Sequence, residues 1–277
     1  MATDYALQMK ELAQEHVAEP VLAAGRFTAL QRHFETMLAD WVSQGRRPEH
    51  MDMPHLQDTA LFEWLFADEV LDIVESIVGP DIALWSSHFI SKPPRTGKRV
   101  GWHEDSSYWA KSLDPMDVVT VWLAIDPATR DNGCMRVIPR THHNGYSEYV
   151  TSSDQESTVF GNEIVGEQVD ESKAVDCILA PNQCSLHHAK LVHGSEANTS
   201  DTRRCGYTMR YFSTSARFSE ERLHAGHRIF LARGRDRAGN GYGDPREPKR
   251  VIDGNEAAAV LASKPVTAGA WAAARTN

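Results

Sequence analysis

DIALWSSHFISK, residues 81–92, marks a change of texture in the chain. Before it the apolar residues recur at helical spacing. From here they come in short runs suited to strands. Within the run, Leu84, Ser86, His88 and Ile90 fall two residues apart and share one face of a strand. Five further runs follow: DVVTVWLAID (117–126), CMRVIP (134–139), AVDCILA (174–180), CSLHHAKLVHGS (184–195) and RRCGYTMRYF (203–212). Loops rich in Pro, Gly, Asn and Asp separate them, and no long helix lies between them. That pattern predicts a β-sandwich or barrel and argues against alternating βαβ units.

On the N-terminal side, FTALQRHFETMLADWVSQG places Phe27, Leu30, Phe34, Met37, Leu38 and Trp41 near a 3.6-residue period, with Gly45 as the stop. TALFEWLFADEVLDIVESIVG predicts a second amphipathic helix carrying Leu61, Leu65, Val70, Ile73, Val74 and Ile77, ended by Gly79-Pro80. RRPEHMDMP, between the two, is expected to be a loop. On the C-terminal side, GRDRAGNGYGDPRE is expected to be a loop, NEAAAVLAS a short helix, and AGAWAAARTN a fraying end. The chain thus reads as one domain over residues 1–277. It has a helical flank (1–80), a β region (81–215) and a C-terminal extension (216–277), mainly β with flanking helices.

Composition removes several classes. A chain of 277 residues with 41% hydrophobic residues can bury a sizeable core. The formal net charge of -9 disfavours a nucleic-acid binder. It leaves room for a small anionic ligand held by a local pair of arginines. The opening MATDYALQMKELAQEH has no apolar core of a signal peptide, and no run approaches a membrane span. Cys134, Cys177, Cys184 and Cys205 form no C-x-x-C pair. A cytoplasmic protein without membrane or nucleic-acid partners, acting on a small molecule, is the expectation.

GWHEDSSYW, residues 101–109, carries the chemistry. On a strand, His103 and Asp105 project together and Glu104 turns away, solvated or paired. An imidazole beside a carboxylate is half of a metal site. A second histidine would complete the two-histidine, one-carboxylate set that leaves positions open at iron. His187, His188 and His193 are the candidates. The stretch is not the helical zinc-protease motif, which needs a second histidine four residues on.

SKPPRTGKRVGWHEDSSYW (91–109), VVTVWLAIDPATRDNGCMRVIPRTHH (118–143) and LVHGSEANTSDTRRCGYTMRY (191–211) together resemble the phytanoyl-CoA dioxygenase family. The resemblance covers roughly residues 82–212. It implies a double-stranded β-helix, the cupin-like jelly roll, and a non-haem Fe(II) enzyme that uses 2-oxoglutarate and O2. It places iron on His103, Asp105 and His193, because His193 alone is followed by Gly-Ser and by an arginine at the family spacing. It implies that Arg204 and Ser195 hold the distal carboxylate of 2-oxoglutarate and that Trp122 walls the cosubstrate; an ordinary core tryptophan is the other reading of Trp122. A guanidinium fork suits a carboxylate. The family reaction hydroxylates a C–H bond and releases succinate and CO2. Related halogenases replace the carboxylate ligand by a small residue, so Asp105 favours hydroxylation.

The substrate side is read from alternation. Arg204, Gly206, Thr208 and Arg210 share a strand face, so an inward Arg204 brings Arg210 in as well. Arg210 either holds an anionic group of the substrate or sits in a structural ion pair. His88 is a pocket or a core histidine. Tyr108 and Trp109 are expected substrate walls, and Lys92 either a structural residue or an anion contact. A small polar or anionic metabolite is the expected substrate. Two other classes compete: a non-catalytic cupin-like binding protein and a zinc hydrolase. The intact ligand set with Arg204 argues against the first, which need not keep an oxygen-activating site, and Arg204 with Ser195 has no necessary role in the second.

Overall fold

The structure, a computed structural model, describes residues 5–109, 112–154, 156–219 and 226–263. Five α-helices occur among them: α1 (Tyr5–Leu12), α2 (Ala24–Ser43), α3 (Phe62–Leu65), α4 (Asp68–Val78) and α5 (Gly254–Ala262). Eleven strands build two main sheets: β1 (Gln14–Val17), β2 (Met51–Asp52), β3 (Ile82–Lys92), β4 (Val100–His103), β5 (Val118–Ala124), β6 (Met135–Val137), β7 (Val175–Asp176), β8 (Cys184–His188), β9 (His193–Ser195), β10 (Arg204–Ser213) and β11 (Phe230–Arg233). The major sheet runs β1-β8-β5-β10-β3-β11, with β2 added to β3. The minor sheet runs β7-β6-β9-β4, and all of this pairing is antiparallel. Two facing antiparallel sheets make the jelly roll, as expected.

The major sheet has two unlike faces, and this asymmetry positions the site. Trp85, Phe89, Val119, Val121, Leu123, Leu186, Tyr207, Met209 and Tyr211 are buried together with Phe34, Phe62 and Val74 of the helices. Phe89 stacks on Tyr207 at 4.0 Å across β3 and β10, a contact of about 1 kcal/mol beyond its area. The alternate residues face the minor sheet. Pairing aligns Arg204 with Lys92, Gly206 with Ile90 and Ala124, and Thr208 with His88 and Trp122. One strand pair further along, Arg210 aligns with Ser86 and Thr120, and Thr120 with His187. Cross-strand partners point the same way, so these polar side chains share one interior.

The helices follow their apolar spacing, with one difference. α2 buries Phe27, Leu30 and Phe34, and Gly45 follows it at φ +74°. The second predicted helix is broken. A 3₁₀ turn (Thr59–Leu61) leads into α3, and Ala67 turns extended (φ −65°, ψ 132°) before α4 starts with Asp68 and Glu69 in its first turn. Two acids there complement the positive end of a helix and favour a fresh start. The extended backbone also lets Phe62, Phe66 and Val70 all bury on one core.

The flanks contribute strands that their sequences hide. β1, QEHV, has no apolar alternation, yet it pairs with β8 from Gln14–His187 to Val17–Cys184. β11 pairs with β3 at the opposite edge. Both edges of the major sheet therefore come from segments read as helical flank and C-terminal extension. RRPEHMDMP forms a 3₁₀ turn (Pro48–His50) and β2 rather than a plain loop. The Gly-rich C-terminal stretch runs into a hairpin, Tyr242–Asp244 with Glu247–Ile252. The predicted helix there is α5, capped by Asp253, whose carboxylate accepts from Asn255 N and Glu256 N at 2.9 Å each. AGAWAAARTN lies outside the described residues. No helix among the described residues is long and apolar enough to cross a membrane.

Candidate functional site

The interior between the sheets holds a narrow cavity lined by residues of both. His103, Asp105 and His193 converge on it. One ligand atom from each lies within 4.8 Å of the other two, and all three residues are buried. His193 and His103 are direct partners across β9 and β4. The H-x-D pair is not on one strand face, however. β4 ends at His103, and Asp105 opens a 3₁₀ turn (Asp105–Trp109). That turn is closed by Ser107 Oγ donating to Glu104 O at 2.7 Å. Glu104 does turn away, but it is buried and paired rather than solvated: its carboxylate accepts from Ser147 Oγ at 2.5 Å and Ser147 N at 3.2 Å.

The two histidines are oriented for metal. His103 Nδ1 donates to Gly101 O and His193 Nδ1 to Leu191 O, each at 2.9 Å. Each Nε2 is left as a lone pair pointing into the cavity. Burial, reinforced by His193, lowers the His103 pKa to about 3. Burial and His187 lower that of His193 to about 4. Both rings are therefore neutral and ready to ligate at physiological pH. Burial alone would raise the Asp105 carboxyl; Arg210 and then His187 override it and hold it well below the usual range. The donor set, two neutral imidazoles and one carboxylate facing open space, fits Fe(II).

These shifts set an acid limit on stability. Below about pH 6.5 an unfolded chain protonates histidines that the fold keeps neutral. His55, buried and lowered to about 3, adds to His103 and His193. The unfolded state then binds more protons, so stability falls as pH drops below 6.5 toward 4. Urea midpoints of the metal-free chain across this range check the slope; a flat profile would refute the assignment of neutral buried rings.

At one end of the cavity lies a cluster of cations. Arg204 is 2% exposed. Its Nε and Nη2 donate to Gly133 O at 3.0 and 2.6 Å, while Nη1 is buried without a partner. Trp122 packs against it, with the guanidinium carbon 5.1 Å from the ring centre. Lys92 Nζ donates to Ser195 Oγ at 2.7 Å and also to Glu196 O. Burial, and then Arg204, push the Lys92 ammonium well below its ordinary pKa. Two buried cations facing carbonyls and one orphaned N–H are the electrostatic mould of a carboxylate. Lys92 thus sits with Arg204 and Ser195, away from the substrate side where the sequence reading puts it.

Two glycines make this end possible. Gly133 has φ +75°, and an added Cβ would lie 2.3 Å from Glu196 O; only glycine delivers its carbonyl to Arg204 here. An added Cβ on Gly206 would lie 2.0–2.5 Å from the Trp122 ring. Gly206→Ala is therefore expected to force the indole toward the cavity. It should cost about 1–3 kcal/mol of stability and weaken binding at the Arg204 end. A melting curve and a 2-oxoglutarate titration of this variant check both effects.

The other expected residues are spread around the cavity. Arg210 lines it, but its Nε donates to Asp105 Oδ2 at 3.0 Å. Tyr108 is 40% exposed at the mouth and lies edge-on to His103, 5.9 Å away. Trp109 packs on Trp85 at 5.2 Å, behind Arg210. His88 is buried under the 3₁₀ turn and is not among the cavity-lining residues, with Nε2 donating to Glu49 O at 2.9 Å and Nδ1 3.4 Å from Asp52. His187 lines the cavity, whereas His188 lies elsewhere, 2.9 Å from Asp117. Sequence reasoning missed Phe160, which touches both His103 (5.3 Å) and Tyr108 (5.4 Å). It sits in a loop with no motif to signal it.

Comparison with known proteins identifies a family. A model of the family described as phytanoyl-CoA dioxygenase matches residues 9–206. The phytanoyl-CoA dioxygenase domain-containing protein 1 homolog of Caenorhabditis elegans is 31% identical over 161 residues, covering 56% of this chain and 55% of that protein. The probable alpha-ketoglutarate-dependent hypophosphite dioxygenase of Stutzerimonas stutzeri is 27% identical over 158 residues, covering 56% of this chain and 53% of that protein. The chain spans about half the length of the curated relatives it matches. Among solved structures, the apo form of the non-heme monooxygenase ThoJ shares the fold, with a TM-score of 0.70, 24% identity, and coverage of 93% of this chain and 92% of that one. With the family model spanning most of the chain and the His-Asp-His group set inside the jelly roll, the chain belongs to the phytanoyl-CoA dioxygenase family.

Proposed function

We propose that this protein hydroxylates an unactivated C–H bond of a small, polar or anionic metabolite, with release of succinate and CO2. One observation carries the reading: a His-Asp-His group and the unpartnered Nη1 of Arg204 open into the same buried cavity. His103, Asp105 and His193 would hold Fe(II). Arg204, with Ser195 and Lys92 beside it, would hold the distal carboxylate of 2-oxoglutarate, and Trp122 would wall the chain between. Bound together, Fe(II) and 2-oxoglutarate supply the oxidising power by reducing O2 as the cosubstrate loses CO2. The residues of the chain hold and orient: the imidazoles stay neutral, the carboxylate stays charged, and the closed sheets exclude water.

The lining of the cavity favours a charged substrate. Arg204 and Arg210 line it against a single acid, Asp105, and Lys92 adds a third cation next to it. With 2-oxoglutarate at the Arg204 end, Arg210 is the lining cation that remains near a substrate, and its field favours an anionic group. The relative named for hypophosphite, a small anion, is in keeping with this. A zinc hydrolase has no use for the Arg204 end, and a binding protein has no need of an open metal set. The four described cysteines are free and buried, in keeping with a reducing cytoplasm.

The test is an anaerobic titration with Fe(II) and then 2-oxoglutarate, followed by a screen of small acids for succinate release. The expected result is a visible charge-transfer band on adding 2-oxoglutarate, and succinate formed in step with one hydroxylated acid. Metal binding without any 2-oxoglutarate response would refute the reading.

A further inference from the structure

The two oxygens of Asp105 have different surroundings. Oδ1 lies 3.9 Å from His103 Nε2 and 4.0 Å from His193 Nε2. Oδ2 accepts from Arg210 Nε at 3.0 Å and lies 3.9 Å from His187 Nε2. Arg210 Nη2 reaches Oδ1 at 3.4 Å, and its Nη1 donates to Thr208 Oγ1 at 3.1 Å. Arg210 and Asp105 are 8% and 5% exposed. The sheet explains the convergence. Thr120 pairs with His187 on one side and Arg210 on the other, so the small Thr120 separates two long side chains that both lean toward Asp105. Arg210 lies four residues beyond the stretch matched by the family model.

We propose that Arg210 is a positioning residue: it holds Oδ2 of Asp105 away from the metal, so that Asp105 ligates through Oδ1 alone. The proposal rests on the Fe(II)/2-oxoglutarate reading and sharpens it. A carboxylate that ligates through both oxygens occupies two positions. With two histidines it would leave too few for a chelating cosubstrate and oxygen. The guanidinium holds Oδ2 more closely (3.0 Å) than Oδ1 (3.4 Å), which opposes this at the geometric level, because its planar fork is fixed by Thr208 and cannot follow a rotating carboxylate. Arg210 is thereby occupied by the metal ligand, and an anionic substrate group near it meets only what that pairing leaves over.

The experiment uses the full chain and Co(II) as the probe, read by visible absorption and by melting temperature. Arg210→Gln is expected to weaken Co(II) about 10–100-fold and to change the cobalt spectrum. It should also weaken 2-oxoglutarate on the cobalt-loaded protein. Arg210→Lys should recover part of the affinity. Thr208→Val, which frees the far end of the fork, should shift affinity and spectrum the same way by less, and stands in should Arg210→Gln not fold. Unchanged cobalt affinity and spectrum would overturn the proposal and return Arg210 to the substrate. Tighter cobalt binding would also overturn it, by making plain charge repulsion the whole effect. A lowered melting temperature with an unchanged spectrum would overturn it in favour of a structural ion pair. Arg204→Ala separates the parent reading: it should leave the cobalt spectrum alone and weaken only 2-oxoglutarate. If the unaltered chain takes cobalt with no dependence on His193, the parent reading fails and this proposal with it.

Discussion

Alanine at His103 or His193 is expected to lower metal-dependent turnover by more than about 100-fold, because removing a ligand costs more than disturbing the residue behind one. Each imidazole has a single free nitrogen, Nε2, since its Nδ1 is committed to a backbone carbonyl. The fold should tolerate both changes, because each removes a buried ring that makes one backbone hydrogen bond. Asp105→Ala should abolish turnover as well, but for this variant stability is expected to fall by about 3–5 kcal/mol. Deleting one partner of a buried ion pair strands the other, here Arg210. Asp105→Asn keeps the shape and separates the two losses. His188→Ala should leave metal binding intact, since His188 is paired with Asp117 away from the cavity. His187→Ala should weaken it by less than the Arg210 change, given its longer approach to Asp105. Iron content, turnover and melting temperature of the six variants check the scheme; full turnover in any of the first three would remove that residue from the ligand set.

The central strands are legible because each must satisfy two environments at once. β3 and β10 alternate large apolar residues with polar or small ones, for one face packs on helices and the other lines the cavity. That alternation shows in the sequence as Trp85, Phe89 and Tyr207 set among Ser86, His88 and Thr208. Edge strands carry no such signal. β1 is held by backbone pairing alone along QEHV, and its neighbour, not its composition, decides its state. The break between α3 and α4 is hidden for the opposite reason. Both halves keep helical apolar spacing, and only the extended Ala67 interrupts it. In the site, His103, Asp105, His193 and Arg204 converge because the motif spacing encodes the pairing of β4 with β9 and of β10 with β3. The partners of Arg210 and Lys92 are not legible. Alternation tells which way a side chain points, but not what another sheet or turn brings to meet it. Lys92 meets Ser195 from the minor sheet, and Arg210 meets a carboxylate from a 3₁₀ turn.

Arg204→Ala is expected to weaken 2-oxoglutarate by about 2–5 kcal/mol, on the order of 30-fold or more in affinity, with metal affinity nearly unchanged. The size follows from burial. Burial lowers the guanidinium pKa only to about 10, so it remains charged at neutral pH. Two of its nitrogens are spent on Gly133 O, which leaves Nη1 as the donor without a partner. A carboxylate arriving there gains a charge-assisted bond in a water-poor pocket and removes an orphaned donor. Lys92 limits the loss, because its ammonium stands on the same Ser195 hydroxyl and can still attract the anion. The double variant Arg204→Ala/Lys92→Met should therefore lose more than the sum of the single changes, as each cation partly covers for the other. Arg204→Lys should recover only part of the affinity, since a point charge cannot grip Gly133 O and the cosubstrate together. Calorimetry of 2-oxoglutarate on the Co(II)-loaded chain measures each case. An unchanged affinity in Arg204→Ala would move the carboxylate site to Lys92 alone. The lysine variant would then be indistinguishable from the unaltered chain, an outcome that the orphaned Nη1 argues against.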